Sequence, residues 1–102
     1  MPKIEIQIPH VLTQSEALTR VQKCLPELAA QNTDRISQVV ETWSGNTGTF
    51  QFNASGFLIT GSVDVCESFV LIKGNLPLMA LPFKGQIEST IKQKAEALLG
   101  GK

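Results

Sequence analysis

Histidine occurs once in this sequence, tryptophan once, cysteine twice and tyrosine not at all. That scarcity removes most of the side chains from which metal centres and nucleophilic triads are built. Neither Cys24 nor Cys66 has a second cysteine at metal-ligand spacing. Small secreted scaffolds carry a denser disulfide framework, so both read as reduced, mostly buried small hydrophobes. No HExxH, CxxC or EF-hand pattern occurs. Gly45, Gly48, Gly56, Gly61 and Gly74 are spread over turns and strands, not gathered into a phosphate-cradling loop. No metal and no cofactor are expected.

Net charge is missing as well. Nine basic residues cancel nine acidic ones, and the pI is near 6.6. A neutral surface offers no general attraction to nucleic acid, so no nucleic-acid partner is expected. Weak self-repulsion also tolerates a homodimer. The longest apolar run, Leu76 to Phe83, is too short to span a bilayer and contains Pro77 and Pro82. The N-terminus has no charged region leading into an apolar stretch. These features predict a cytoplasmic protein without a transmembrane segment.

What is present suits one globular domain over residues 1–102: 42% of the residues are hydrophobic and 18% charged, too apolar and too balanced for disorder. Lys3 to Ile8 alternates, with Ile4, Ile6 and Ile8 on one face, which predicts a half-buried strand ended by Pro9. Thr13 and Glu16 have capping-box spacing, with Leu12 and Ala17 placed as a hydrophobic staple. Ala17, Val21, Cys24 and Leu28 then recur at helical spacing. Pro26 predicts a kink or a break into two short helices near Cys24 to Pro26. Gln31 to Asp34 form the exit loop.

Four strands follow: Ile36 to Trp43, Thr49 to Asn53, Phe57 to Val65 and Ser68 to Leu76. Their short connections favour antiparallel hairpins. From Gln86, a last helix carries Ile87, Ile91, Ala95 and Leu98 on one stripe, with Glu88 and Lys92 at favourable i,i+4 spacing and Gly100-Gly101 ending it. The fold class is therefore α+β: a single antiparallel β-sheet with two helices on one face, in the order β-α-β-β-β-β-α.

Candidates for chemistry are few. His10 sits at the strand-to-helix junction, but no partner for general base catalysis is identifiable, so it reads as a structural loop residue. Asp34 and Asp64 lack a carboxylate at close spacing and read as surface positions. Phe50 and Phe52 alternate like the stacking aromatics of RNA-binding sheets, yet Thr49, Gln51 and Asn53 around them are neutral, which favours core roles. No catalytic residue is assigned, and the protein is not expected to be an enzyme.

Two features suit contact with something hydrophobic. Trp43 ends a strand beside polar turn residues, which favours ordinary core and leaves a pocket mouth or interface as the alternative. The apolar bridge supplies Leu76, Leu78, Met79, Leu81 and Phe83, which must be covered by the core, a second subunit or an apolar ligand.

The sequence Pro9-His10-Val11-Leu12, a helix opening at Thr13, the Trp43-Ser44-Gly45-Asn46 turn, the hairpins, and Leu76 leading through Pro82-Phe83-Lys84-Gly85 into Ile87-Glu88 together resemble the polyhydroxyalkanoate granule-region family of polyhydroxyalkanoic acid system proteins. The resemblance runs over essentially the whole chain and brings no catalytic residues with it. It implies association with polyhydroxyalkanoate storage-granule metabolism, with the granule surface or granule proteins as partners and a granule-associated fraction in the cytoplasm. The element order also looks like a reduced helix-grip fold, in which a C-terminal helix closes a sheet around an apolar cavity. Two readings result. One is a non-catalytic protein binding a hydrophobic surface or partner through the apolar bridge. The other is a small carrier of an acyl chain or lipid, which needs a pocket of at least roughly 300 Å³ lined by Phe50, Phe52, Ile59, Ile87 and Ile91.

Overall fold

The computed structural model describes residues 3–100. Gly101, expected to help end the last helix, lies outside them. Five strands form one antiparallel sheet in the order β1-β5-β4-β3-β2: β1 Lys3–Pro9, β2 Ile36–Ser44, β3 Thr47–Ala54, β4 Phe57–Val65 and β5 Phe69–Asn75. Hairpins join β2 through β5 in sequence. The N-terminal strand then pairs with β5, bringing Ile4, Ile6 and Ile8 opposite Gly74, Ile72 and Val70. The element order and the single antiparallel sheet agree with the sequence reading.

The first helical region divides into α1 Gln14–Val21 and α2 Cys24–Gln31. Pro26 lies in the first turn of α2, where its missing N–H has no intrahelical partner to lose. The break therefore falls just before it, at Gln22 and Lys23. Half of the expected capping box forms. Thr13 Oγ1 accepts the Glu16 N–H at 3.1 Å, but the Glu16 carboxylate turns forward to Arg20 at 2.9 Å instead of back to Thr13. Arg20 also donates to the Leu98 carbonyl at 3.2 Å, tying α1 to the last turn of the C-terminal helix.

That helix, α3, runs Lys84–Leu99, two residues longer at its start than expected. Its buried positions are Ala95 and Leu99, with Ile87, Ile91 and Leu98 partly buried. The deepest stripe thus steps by four residues from Ile87 to Leu99. Glu88 and Lys92 form no ion pair, and Lys94 instead reaches Glu27 of α2 at 2.7 Å.

One face of the sheet carries Ile4, Ile6, Ile8, Phe52, Ile59, Val63, Val65, Val70 and Ile72, all buried with Ala17, Val21, Leu25 and Leu28 of the first two helices. Burial of each such large side chain contributes about 1.5–3 kcal/mol. β2 needs one irregularity to join in. Ile36 and Trp43 are seven positions apart, so strict alternation would send them to opposite faces. A bulge between Ser37 and Val40, with Gln38 at φ 55°, inserts the residue that returns both to the core side. The Gln38 and Asn53 side chains hydrogen-bond across it.

Two aromatic rings lie flat across glycines of the neighbouring strand. A Cβ on Gly48 would stand 2.7 Å from the Trp43 indole, and one on Gly61 would stand 2.6 Å from Phe50 Cζ and collide with the Lys73 carbonyl oxygen. Gly48, expected in a turn, is a buried residue of β3 paired with Trp43.

Candidate functional site

His10 is buried at 8% exposure, where β1 leaves the sheet. Its Nδ1 lies 3.1 Å from the Leu12 backbone N–H, which can only donate, so Nδ1 is the unprotonated nitrogen. Nε2 then donates to the Cys66 carbonyl at 3.0 Å. Both ring nitrogens are engaged in tying the β1–α1 loop to the β4–β5 link. His10→Ala strands one donor and one acceptor and is expected to cost about 2–4 kcal/mol, read as a lower urea midpoint.

The apolar bridge folds into a 3-10 helix, Leu78–Phe83, between β5 and α3. It has two sides of opposite character. Leu76, just before it, and Ala80 are 0% exposed and anchor it to the core. Leu78 and Met79 are 72% and 81% exposed, Leu81 and Phe83 about half exposed. The bridge is thus neither wholly core nor wholly surface. Leu76 leaves the set of expected contact residues, because a fully buried side chain cannot touch a partner. Phe57, at the start of β4, joins the set: its ring stands 5.9 Å from that of Phe83. Alternation placed Phe57 on the core face, but at the end of the sheet the helices no longer cover it fully.

Trp43 is half buried and its indole N–H is inaccessible to water without a hydrogen-bond partner. Two residues back, the Glu41 carboxylate shares its face of the strand. Burial pushes the Glu41 carboxyl above the ordinary carboxylate range, and the nearby indole N–H partly offsets this, although it stops short of hydrogen-bond geometry. A raised native value means that stability is fully present below the unfolded-state value of about 4.3 and is lost as pH rises through the folded-state value. Glu41→Gln is therefore expected to raise the Tm at pH 7, with the difference from the unaltered protein vanishing below about pH 4.

The residues lining the space between sheet and helices form two hollows. One, about 40 Å³, lies among Val21, Cys24, Leu25, Trp43, Phe50 and Ala95, with Glu41 at its side. The other, about 130 Å³, lies among Ile36, Ala54, Ile59, Ile87 and Thr90. Phe52, Ile59, Ile87 and Ile91 line the larger hollow as expected, whereas Phe50 lines the smaller. Both fall well below the volume expected of a lipid carrier, because side chains from α2 and α3 fill most of the interior. Burial also drives the Cys24 thiol up to about 11, keeping it protonated and unreactive at neutral pH.

The opposite face of the sheet is polar. Thr42, Thr49, Gln51, Thr60, Ser62, Lys73 and Glu5 border an open groove of about 600 Å³. Asp64 on this face accepts from Thr47 Oγ1 at 2.9 Å, and Asp34 is exposed in a loop. Among the described residues no group of three or more His, Cys, Asp or Glu is placed to hold a metal ion. No helix among them is long and apolar enough to cross a membrane.

Comparison with known proteins adds one match. The family model described as "Putative polyhydroxyalkanoic acid system protein" covers residues 4–99. No curated protein matches the chain.

Proposed function

Because the chain belongs to this polyhydroxyalkanoic acid system family, we propose that it acts without catalysis in polyhydroxyalkanoate metabolism, by adsorbing to a hydrophobic surface through its 3-10 helix. The family's name ties the chain to polyhydroxyalkanoate systems, and the rest of the reading comes from the surface. Its main support is the pairing of a buried Leu76–Ala80 anchor with projecting Leu78, Met79, Leu81 and Phe83. A rigidly held helix presents these side chains with little ordering entropy left to lose on contact. Polymer, or the coat of a polymer granule, rewards covered apolar area at about 25 cal/mol per Å². The absence of catalysis is supported by His10, whose two nitrogens are already bonded, and by the protonated Cys24 thiol.

Labelled protein mixed with isolated polyhydroxyalkanoate granules tests the reading. Protein that pellets with the granules in 0.5 M salt, where the Debye length has fallen to roughly 4 Å and charge attraction is screened, agrees with apolar adsorption. Protein that stays wholly in the supernatant would reject it.

A further inference from the structure

Two unbroken ladders of side chains cross the outward face of the sheet. One passes through Glu5, Lys73, Ser62, Thr49 and Thr42, each on the next strand of the sheet. The other passes through Lys3, Asn75, Thr60, Gln51 and Val40 in the same way. They border the open groove of about 600 Å³, which therefore runs across the strands for about 19 Å, four strand spacings. Its two ends differ. Val40 and Thr42 lie at the β2 end, and the charged residues lie at the β1–β5 end. Lys3 and Lys73 are diagonal neighbours there, roughly 7–8 Å apart at the backbone, so both ammonium groups can reach one point. Among the described residues neither is in an ion pair, and Glu5, opposite Lys73, can answer only one of them. Asp64, one row further along β4, is held by Thr47. The hydroxyls and amides between are unengaged as well. Among the described residues, the side-chain hydrogen bonds of this face, Thr47 to Asp64 and Asn53 to Gln38, lie at its margins.

We propose that this groove binds soluble, carboxylate-ended chains of hydroxyacid esters, with the carboxylate between Lys3 and Lys73 and the chain running toward β2. The ligand class rests on the family's link to polyhydroxyalkanoate systems. The 3-10 helix shares no residue with the groove and plays no part in it. Size agrees, since about 600 Å³ falls within the roughly 300–1,000 Å³ of small-molecule sites. Charge sets the orientation: two ammonium groups face one carboxylate at the β1–β5 end, and the β2 end carries no charge. Hydrogen-bonding type narrows the chain. Ester carbonyls accept without donating, which suits a lining of ammonium, hydroxyl and amide groups. An extended peptide would bring an N–H at every residue, and the backbone carbonyls of β3, β4 and β5 are already engaged in the ladders. Sugars and bases bind best on an aromatic platform. Phe50, whose ring borders the groove, packs against the core and stacks on Phe52 at 5.9 Å. Threonine suits the mixed character of an ester chain, with a methyl beside each hydroxyl.

Titration of the full chain with the linear tetramer of 3-hydroxybutyrate tests the site, following the backbone amide resonances of Thr60, Ser62 and Lys73. The free acid is expected to give saturable shifts along both ladders. Its methyl ester should bind at least about tenfold more weakly, because the charge-assisted contact is lost. Lys73→Gln should weaken the free acid by a similar factor and leave the methyl ester unchanged, whereas Glu5→Gln should tighten the acid. Thr49→Val/Thr60→Val keeps the β-branched shape and should weaken acid and ester alike, by roughly tenfold. These positions are exposed or half-buried, so the Tm should hold. Leu78→Ser/Met79→Ser should bind the tetramer as the unaltered chain does, even where it no longer pellets with granules. Granule pelleting is read separately, so either result can fail without the other. An absence of saturable shifts on the outward face overturns the site. So does equal binding of the acid and its methyl ester, equal binding of tetra-alanine, or shifts confined to Leu78–Phe83.

Discussion

Gly61→Val is expected to leave little or no folded protein, recovered as insoluble material or with a collapsed thermal transition. Gly61 pairs with Gly74 in β5 and with Phe50 in β3. A Cβ there would overlap the Lys73 carbonyl oxygen and approach Gly74 Cα to 2.9 Å, so backbone and not a pliable side chain would have to move. Both neighbours belong to central strands whose ladders would shift with them. The loss should exceed about 4 kcal/mol, a large part of the 5–15 kcal/mol typical of a domain. Gly85→Ala provides the contrast. Nothing lies within 4 Å of its added methyl in the first turn of α3, and alanine favours the helix. That variant should gain about 0.5 kcal/mol and raise the Tm by a few degrees, roughly 2–4 °C.

Leu78→Ser/Met79→Ser is expected to lower apparent affinity for an apolar surface by about 100-fold with the Tm unchanged. The two side chains are mostly exposed, so polar replacements cost the isolated protein little. On adsorption each large side chain covered contributes about 1.5 kcal/mol or more, and each 1.4 kcal/mol is tenfold in affinity. Leu76→Ala would be a misleading variant for this purpose. Leu76 is fully buried, and its truncation should cost about 2–5 kcal/mol of stability before any surface is met.

Strand β1 and the Phe57–Val65 alternation were readable because period-two patterns with one apolar face admit a single register. β2 was readable as a strand but not as a bulged one. Only the odd spacing of Ile36 and Trp43 hinted that an extra residue had to be absorbed, and nothing local in Gln38 marks where. Pro26 could be seen to interrupt the helix. Its seat within the first turn of α2 depends on which residues the sheet buries. Among the candidate contact residues, sequence grouped Leu76 with Leu78, Met79, Leu81 and Phe83 because all belong to one apolar run. Leu76 is buried just before the 3-10 helix, whose threefold repeat sets Leu78 and Leu81 on one outward row with Ala80 facing the core, while Phe83, on the row of Ala80, is half exposed at the end of the helix. Phe57 was missed since its proximity to Phe83 spans the fold. The hollow beside Trp43 was invisible for the same reason: its walls come from α1, α2, α3 and four strands.

Val11 supplies the control that the central claim needs. It is 100% exposed, yet stands alone in the β1–α1 loop, away from the 3-10 helix. Granule-bound fraction should therefore be measured side by side for the unaltered chain, Leu78→Ser/Met79→Ser and Val11→Ser, with matched Tm values. The account predicts that the double variant is released to the supernatant while Val11→Ser pellets as the unaltered chain does. Equal pelleting of all three, or equal release of both variants, would contradict it.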